Sequence, residues 1–211
     1  IWIKCSNPIP DRPYYFFLTI TLDGDLWATD YEHGLWHSKD GGFTWNNPSN
    51  GADINTLIYN LFRLKNNCLI AMVEPPGKRP AVMKSNDEGK TWMPLTTPEN
   101  SFSCFITSNE EIVVFAQTSS ISIYKSIDLG KTFKQAYSVP ISFSTSSMFD
   151  NYHKIGPDYY LVIPSHGLLK TRNFEQFETI LSEQNVNGLF FDHTGSIWVG
   201  GGQRTYIFNQ D

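Results

Sequence analysis

The sequence predicts an all-β chain, a five-bladed propeller of four-stranded blades. Three observations predict it: an octapeptide recurring at near-even spacing, short apolar runs separated by turn residues, and almost no helical periodicity. The octapeptides are SKDGGFTW at residues 38–45, SNDEGKTW at 85–92 and SIDLGKTF at 126–133. They share S-x-D-x-G-x-T-[W/F], and their starts lie 47 and 41 residues apart. A worn fourth copy, TRNFEQF at residues 171–177, begins 45 residues later and lacks one residue. It reads with Asn173 in the Asp place and Glu175 in the Gly place.

Each octapeptide residue has a physical task. Ser and Asp two apart bond backbone amides and close a tight turn. Gly supplies a positive φ that other residues resist. Thr and the aromatic then start a strand, where β-branched and aromatic residues pack well. The structural turn residues are therefore Ser38, Asp40, Gly42 and Trp45; Ser85, Asp87, Gly89 and Trp92; Ser126, Asp128, Gly130 and Phe133. Three strand-like runs precede each turn: 14–21, 25–30 and 34–38; 55–63, 68–74 and 81–85; 101–107, 111–117 and 121–126; 144–150, 158–164 and 167–171. A fifth unit offers three more, at 185–192, 196–201 and 205–209. Its fourth strand is read as residues 1–4 (IWIK), which puts Trp2, Trp45, Trp92, Phe133 and Phe177 in equivalent places. The blades then span about 14–47, 53–94, 101–135, 144–179 and 185–209 plus strand 1–5, one domain over residues 1–211. Closing the ring with the N-terminal strand removes two exposed sheet edges, which are aggregation hazards. Trp27 and Trp198, at matching places in LWATD and IWVGG, are expected in blade cores.

Composition narrows the function. Charged residues make up 18% and aromatics 15%, which excludes a disordered chain. The net charge of −5 disfavours a nucleic-acid binder, which neutralises phosphates with a basic surplus. No apolar stretch of about 18 residues is present to insert in a membrane. Cys5, Cys68 and Cys104 form no CxxC pair, so no metal site and no cofactor is expected. The thiols are read as reduced, with a Cys68–Cys104 disulfide as the alternative. The chain begins at Ile1, as after removal of a signal or as part of a larger chain.

S-x-D-x-G-x-T-W resembles the Asp-box, or BNR, repeat of sialidases, sortilin-type receptors, xyloglucan-active glycosidases and a photosystem assembly factor. The resemblance covers essentially the whole chain and implies the propeller fold. In those families the box lies at the blade periphery and is structural, so it implies no activity. A sialidase clamps a carboxylate with three arginines and adds an Asp and a Tyr–Glu pair within six blades. Here Arg12 stands in DRPYY, which departs from that family's R-I-P motif, and five blades are counted. The segment GLFFDHTGSIWVGGG at residues 188–202 also resembles the blades of periplasmic sensor propellers. Both resemblances imply a secreted, periplasmic or cell-surface protein.

Rigid scaffolds place binding residues on loops. Two loops per blade share one face: those leading into each blade and those joining its second and third strands. Candidate ligand-binding residues there are Arg12, Tyr14, Tyr31, Glu32, His33, Arg79, His166 and Arg204. Tyr14 and Tyr31 offer faces for a sugar ring, or pack between blades. His33 and His166 stand in repeated HGL triplets and read as turn residues rather than metal ligands. No residues are assigned a catalytic role. The expected function is a non-catalytic recognition module for a glycan or a protein. The alternatives are a glycoside hydrolase, with acids drawn from Asp11, Asp30, Glu32, Asp53, Glu74 and Glu183, and an assembly scaffold. Circular dichroism is expected to show more than about 40% strand and almost no helix; a substantial helical signal refutes the fold class.

Overall fold

The computed structural model describes residues 16–21, 24–30, 34–48, 57–74, 77–117, 119–139, 152–163, 166–183, 186, 188–193, 195–201 and 204–208. Among them every regular element is a strand, and no helix is long and apolar enough to cross a membrane. The strands form five antiparallel sheets in sequence order. The first holds β1 (Phe16–Ile20), β2 (Leu26–Asp30) and β3 (Gly34–Ser38). The second holds β4 (Leu57–Arg63), β5 (Leu69–Glu74), β6 (Ala81–Ser85) and β7 (Met93–Pro94). The third holds β8 (Ser101–Ile106), β9 (Ile112–Gln117), β10 (Ile121–Ser126) and β11 (Lys134–Val139). The fourth holds β12 (Tyr152–Ile155), β13 (Asp158–Ile163), β14 (Gly167–Thr171) and β15 (Glu178–Leu181). The fifth holds β16 (Gly188–Phe191), β17 (Ile197–Gly201) and β18 (Arg204–Phe208). Each sheet is an up-and-down meander, the form required of a propeller blade.

The chain divides into two compact units, Ile1–Ala116 with Tyr124–Lys134, and Gln117–Ile123 with Gln135–Asp211. In the first unit, β5 reads LIAMV and is buried on both faces. Leu69, Ala71 and Val73 meet Trp27 and Leu35 of the first sheet. Ile70 and Met72 meet Cys104, Ile112 and Val114 of the third. Burial on both faces explains why β5 is a continuous apolar run rather than an alternating one. Cys68 and Cys104 share the second of these clusters as free thiols, without the alternative disulfide. Burial alone lifts the Cys104 pKa to about 12. In the second unit, Tyr160, Val162 and Leu168 pack with Leu189, Ile197 and Val199.

Four expectations need correction. Thr44 and Trp45, Thr91 and Trp92, and Thr132 and Phe133 lie in the turns, and pairing resumes one residue later, at Asn46, Met93 and Lys134. The fourth strand of the first sheet is reduced to the single bridge His37–Asn46. The expected strand 144–150 lies outside the described residues. β13 pairs instead with β12, through a tight turn at Gly156-Pro157 in which Gly156 has φ 54°. Trp198 is not core: it is 37% exposed, whereas Trp27 at the matching place is 1% exposed. Trp27 faces the second sheet. Trp198 lies on the face of the fifth sheet opposite to the one that Ile197 and Val199 bury. The closing strand, residues 1–4, lies outside the described residues.

One glycine lies hard against backbone. Gly167 opens β14 at φ 106°, and a Cβ there would fall 1.9 Å from the Leu181 carbonyl oxygen. Gly156 also has a positive φ, but its Cβ would meet nothing within 4 Å. In urea melts, Gly156→Ala is expected to cost about 1–2 kcal/mol, the strain of a left-handed alanine alone. Gly167→Ala is expected to cost clearly more, because backbone must move; equal losses refute the close approach.

Candidate functional site

The three complete octapeptides form one hydrogen-bonded turn, with the same Ser, Asp, Gly and Thr bonds in each. Ser38, Ser85 and Ser126 each accept on Oγ from the amide four residues on, Gly42, Gly89 and Gly130, at 2.9 Å. Each Ser hydroxyl donates to the Oδ1 of Asp40, Asp87 or Asp128, at 2.9, 2.8 and 2.7 Å. That oxygen also accepts the amide of Thr44, Thr91 or Thr132, at 2.8, 2.9 and 2.9 Å. The Thr hydroxyl reaches Oδ2 at 2.6, 2.6 and 2.7 Å. Trp45 and Trp92 close the ring by donating from Nε1 to the carbonyls of Gly42 and Gly89, at 2.9 and 3.2 Å. These bonds hold Thr and the aromatic in the turn, which delays the next strand.

Two successive residues in each turn have positive φ: Gly41 and Gly42, Glu88 and Gly89, Leu129 and Gly130. The second must also be small. A Cβ on Gly89 would come within 2.8 Å of Leu35 Cδ2, and one on Gly130 within 2.5 Å of Leu95 Cδ1. The second and third turns are thus pressed against side chains of, or just beyond, the preceding sheet. In the fourth copy Thr171 Oγ1 accepts from the Phe174 amide at 3.0 Å. Phe174, with φ 61° and full burial, therefore takes the Gly place that Glu175 was expected to hold. Its ring packs on Tyr159 and Phe177.

The Asp carboxylates titrate far from the ordinary range. Bonds from the Thr hydroxyl and amide hold Asp40 and Asp87 down to about 2, and lower Asp128 further. Those groups stabilise the ionised form, which fixes the carboxylates as acceptors and makes them poor general acids.

A second polar pattern was missed in the sequence. Leu26 pairs with Ser38, and Tyr159 with Thr171. The residues just before those strand partners are Asp25 and Asp158, and each bonds the basic residue just before the turn. Asp25 Oδ2 accepts from His37 Nε2 at 2.7 Å and from Arg63 at 2.8 Å. Trp27 stacks on the His37 ring at 3.7 Å. Asp158 lies between Arg172 at 2.6 Å and Lys170 at 3.3 Å. Burial opposes its charge, but the bonds from Arg172 and Lys170 prevail and lower its pKa. Glu111 and Lys125 repeat the pair at 3.1 Å in the third sheet. In the second sheet Leu69 pairs with Ser85, so Cys68 stands in the acid's place, near Lys84. The legible signal was a His or Lys before every turn Ser or Thr: His37, Lys84, Lys125 and Lys170.

These groups are joined to one another, so they read as supports between strands. The clefts beside them are modest. One of about 370 Å³ lies between the β4–β5 and β8–β9 turns, and one of about 420 Å³ lies beside the shortened fourth turn. Among the described residues no three His, Cys, Asp or Glu gather as a metal would require.

Of the expected ligand-binding residues, Arg12, Tyr14, Tyr31, Glu32 and His33 lie outside the described residues. Arg79 is exposed and donates to the Asn100 side chain. The His166 amide donates to the Ile163 carbonyl at 2.8 Å, in the tight turn before Gly167. The Arg204 side chain is 72% exposed and lies 4.0 Å from Glu183. A hydrogen bond to Tyr206, then its charge and that of Glu183, raise the Arg204 pKa.

No protein-family model matches the sequence, and no curated protein does. Solved structures do match, at identities that show the fold alone. YCF48 from Cyanidioschyzon merolae is 16% identical over 91% of this chain and 65% of its own, with a TM-score of 0.60. YCF48 bound to a D1 peptide is 14% identical over 95% of this chain and 68% of its own, at 0.60. The gluconolactonase XC5397 from Xanthomonas campestris is 11% identical over 90% and 70%, at 0.59. The extracellular domain of the hybrid two-component system BT3049 from B. thetaiotaomicron is 13% identical over 90% and 26%, at 0.62. The chain thus spans about two thirds of the first three and about a quarter of the last. These neighbours are β-propellers, so the chain has a propeller fold.

The turn chemistry sets a pH dependence. Because folding lowers the Asp40 and Asp87 pKa values, their stabilisation is complete above the unfolded value near 4 and is lost as pH falls toward 2. Asp87→Asn is therefore expected to melt below the parent protein at pH 7, with the gap closing between about pH 4 and pH 2. A constant gap across that window refutes the turn role of the charge.

Proposed function

We propose that this chain is an extracytoplasmic recognition domain that binds a protein partner through the loop face of its propeller and catalyses no reaction. Two kinds of observation support the reading. The fold neighbours include YCF48 in complex with a D1 peptide and the extracellular domain of a hybrid two-component system. Within the chain, the carboxylates set beside the repeated turns, Asp25, Asp40, Asp87, Glu111, Asp128 and Asp158, are each bonded inside the scaffold. That leaves the loops, where a rigid framework presents binding residues.

In this reading the five sheets are the blades of one Asp-box propeller over residues 1–211, and residues 1–4 add the fourth strand to β18. The contact surface comprises Arg12, Tyr14, Tyr31, Glu32, His33, Arg79, His166 and Arg204. Arg79 and Arg204 are the exposed cations among its described members, and they suit a partner with acidic or carboxylate groups. A glycan is the second reading, carried by the aromatic faces of Tyr14 and Tyr31.

Parallel peptide and glycan arrays test this. Peptide hits are expected, weakened about tenfold or more by Arg79→Ala with Arg204→Ala and unchanged by Lys39→Ala with Lys90→Ala on the turn side. Sugar hits abolished by Tyr31→Ala would replace the protein reading with the glycan one. Turnover of a chromogenic glycoside or of a lactone would overturn the non-catalytic reading.

A further inference from the structure

The fourth turn lacks the anion that the other three carry. In those, an Asp carboxylate accepts the Thr amide and hydroxyl of its own turn. Here Asn173 Oδ1 accepts from the Glu175 and Gln176 amides, at 3.0 and 3.3 Å, so the backbone is held without a charge. Gln176 takes the Thr place, just before the aromatic, and its side-chain amide bonds no described residue. Before Asn173 stands Arg172. Its Nε donates to Asp158 Oδ1 at 2.6 Å, while its side chain stays 71% exposed. Asp158 is half-buried and also holds Lys170, so it fixes the guanidinium by one edge. The two Nη groups on the outer edge have no partner among the described residues. Arg172, Lys170, Asp158, Gln176, Phe177 and Glu178 line one cleft of about 420 Å³. Phe177 is half-buried and is backed by Phe174 and Tyr137, which makes it a firm apolar wall.

We propose that this cleft binds a small monocarboxylate with an apolar body, its carboxylate on the outer edge of Arg172 and its body against Phe177. The site is separate from the loop-face residues. β14 runs from Gly167 to Thr171, so Arg172 follows the end of the strand opposite to His166. A planar carboxylate accepts two parallel N–H bonds from one guanidinium edge. Because Asp158 already orients Arg172, little further freedom is lost when the second edge is filled. Gln176 offers its amide N–H to the same carboxylate. The charge count selects a monoanion. Lys170 and Arg172 stand against Asp158 and Glu178, and Glu178 pairs with Lys170 in the strand register, so the lining has no surplus cation. A phosphate brings a charge of roughly −1.5 to −2 and would meet both acids unopposed. A carboxylate brings the single charge that each complete turn supplies from within. The Phe177 wall selects an apolar body rather than a bare anion, and the cleft volume falls in the range of about 300–1,000 Å³ usual for small-molecule sites.

Nuclear magnetic resonance titration of the full chain with phenylacetate tests this. Saturable shifts are expected at the side chains of Arg172 and Gln176. Phenylacetamide, acetate and inorganic phosphate should each bind about tenfold more weakly or not at all, since each lacks the fork, the apolar body or the single charge. Arg172→Lys keeps the pair with Asp158 but removes the fork, and should weaken binding about tenfold. Asn173→Asp restores the internal anion and should weaken binding without lowering the melting temperature. Arg79→Ala with Arg204→Ala should leave binding unchanged. If that double variant abolishes it, the acid sits on the loop face and this cleft is not the site. Equal binding of phenylacetate and phenylacetamide, or an Arg172→Lys variant as tight as the parent, overturns the carboxylate contact. Acetate or phosphate binding as tightly as phenylacetate overturns the ligand class, and so does tighter binding of acetyl-Gly-Phe, which would make the ligand a peptide end. Absence of saturable shifts overturns the site and leaves the loop-face reading to its own arrays.

Discussion

A carboxylate that accepts from its own turn is the interaction on which the rest of this structure depends. Asp40, Asp87 and Asp128 each hold a Ser hydroxyl, a Thr amide and a Thr hydroxyl with one side chain. A tight turn with two left-handed residues costs backbone strain and leaves amides without ladder partners. Charge-assisted bonds, roughly twice as strong as neutral ones, offset both costs. The ion is affordable because it stays at the surface, where water screens and solvates it. Placed in a core, the same carboxylate would need a paired cation.

The turns also set how sheets stack. Gly89 lies against Leu35 of the first sheet, and Gly130 against Leu95, just past β7. A left-handed backbone and a missing side chain are thus required at one residue for two separate reasons. Once a turn is seated, the next sheet is aimed to bury its face: Leu35 and Trp27 cover β5 from one side, and Cys104, Ile112 and Val114 from the other. The half-buried pairs Asp25–His37 and Glu111–Lys125 then satisfy polar groups at strand ends where burial would otherwise be costly. A scaffold fastened in this way at its turn side leaves its opposite loops free to vary, which is why function is sought there.

Most of the fold was legible because the repeat is local. Ser, Asp, Gly and Thr at fixed spacing report a turn without knowledge of the surroundings, and apolar runs report strands. What was illegible depended on long-range packing. The brief strand β12 escaped notice since HKIGPD reads as loop until its pairing with β13 is known. Phe174 was unexpected at a left-handed position, because an aromatic resists that conformation unless burial compensates, and only contact with Tyr159 and Phe177 supplies that burial. The ion pairs needed register: Asp25 and His37 are twelve residues apart and become neighbours through Leu26–Ser38 pairing. Of the expected loop residues, the structure places Arg79, His166 and Arg204, and it assigns them no common ligand.

Trp27 and Trp198 show why a repeat cannot be read one unit at a time. They hold the same place in the same strand, and local propensity treats them alike. One is closed over by the second sheet, while the other lies on a face that no described residue covers. Its indole nitrogen is held by Asp192 Oδ2 at 2.9 Å rather than left to water. With Phe190 and Ile207 it makes a contiguous exposed cross-strand row, whereas isolated exposed apolar residues are ordinary. In a stacked-sheet protein each sheet borrows half of its core from a neighbour. The fifth sheet shows one such half-core, where Leu189, Ile197 and Val199 pack with Tyr160, Val162 and Leu168 of the fourth.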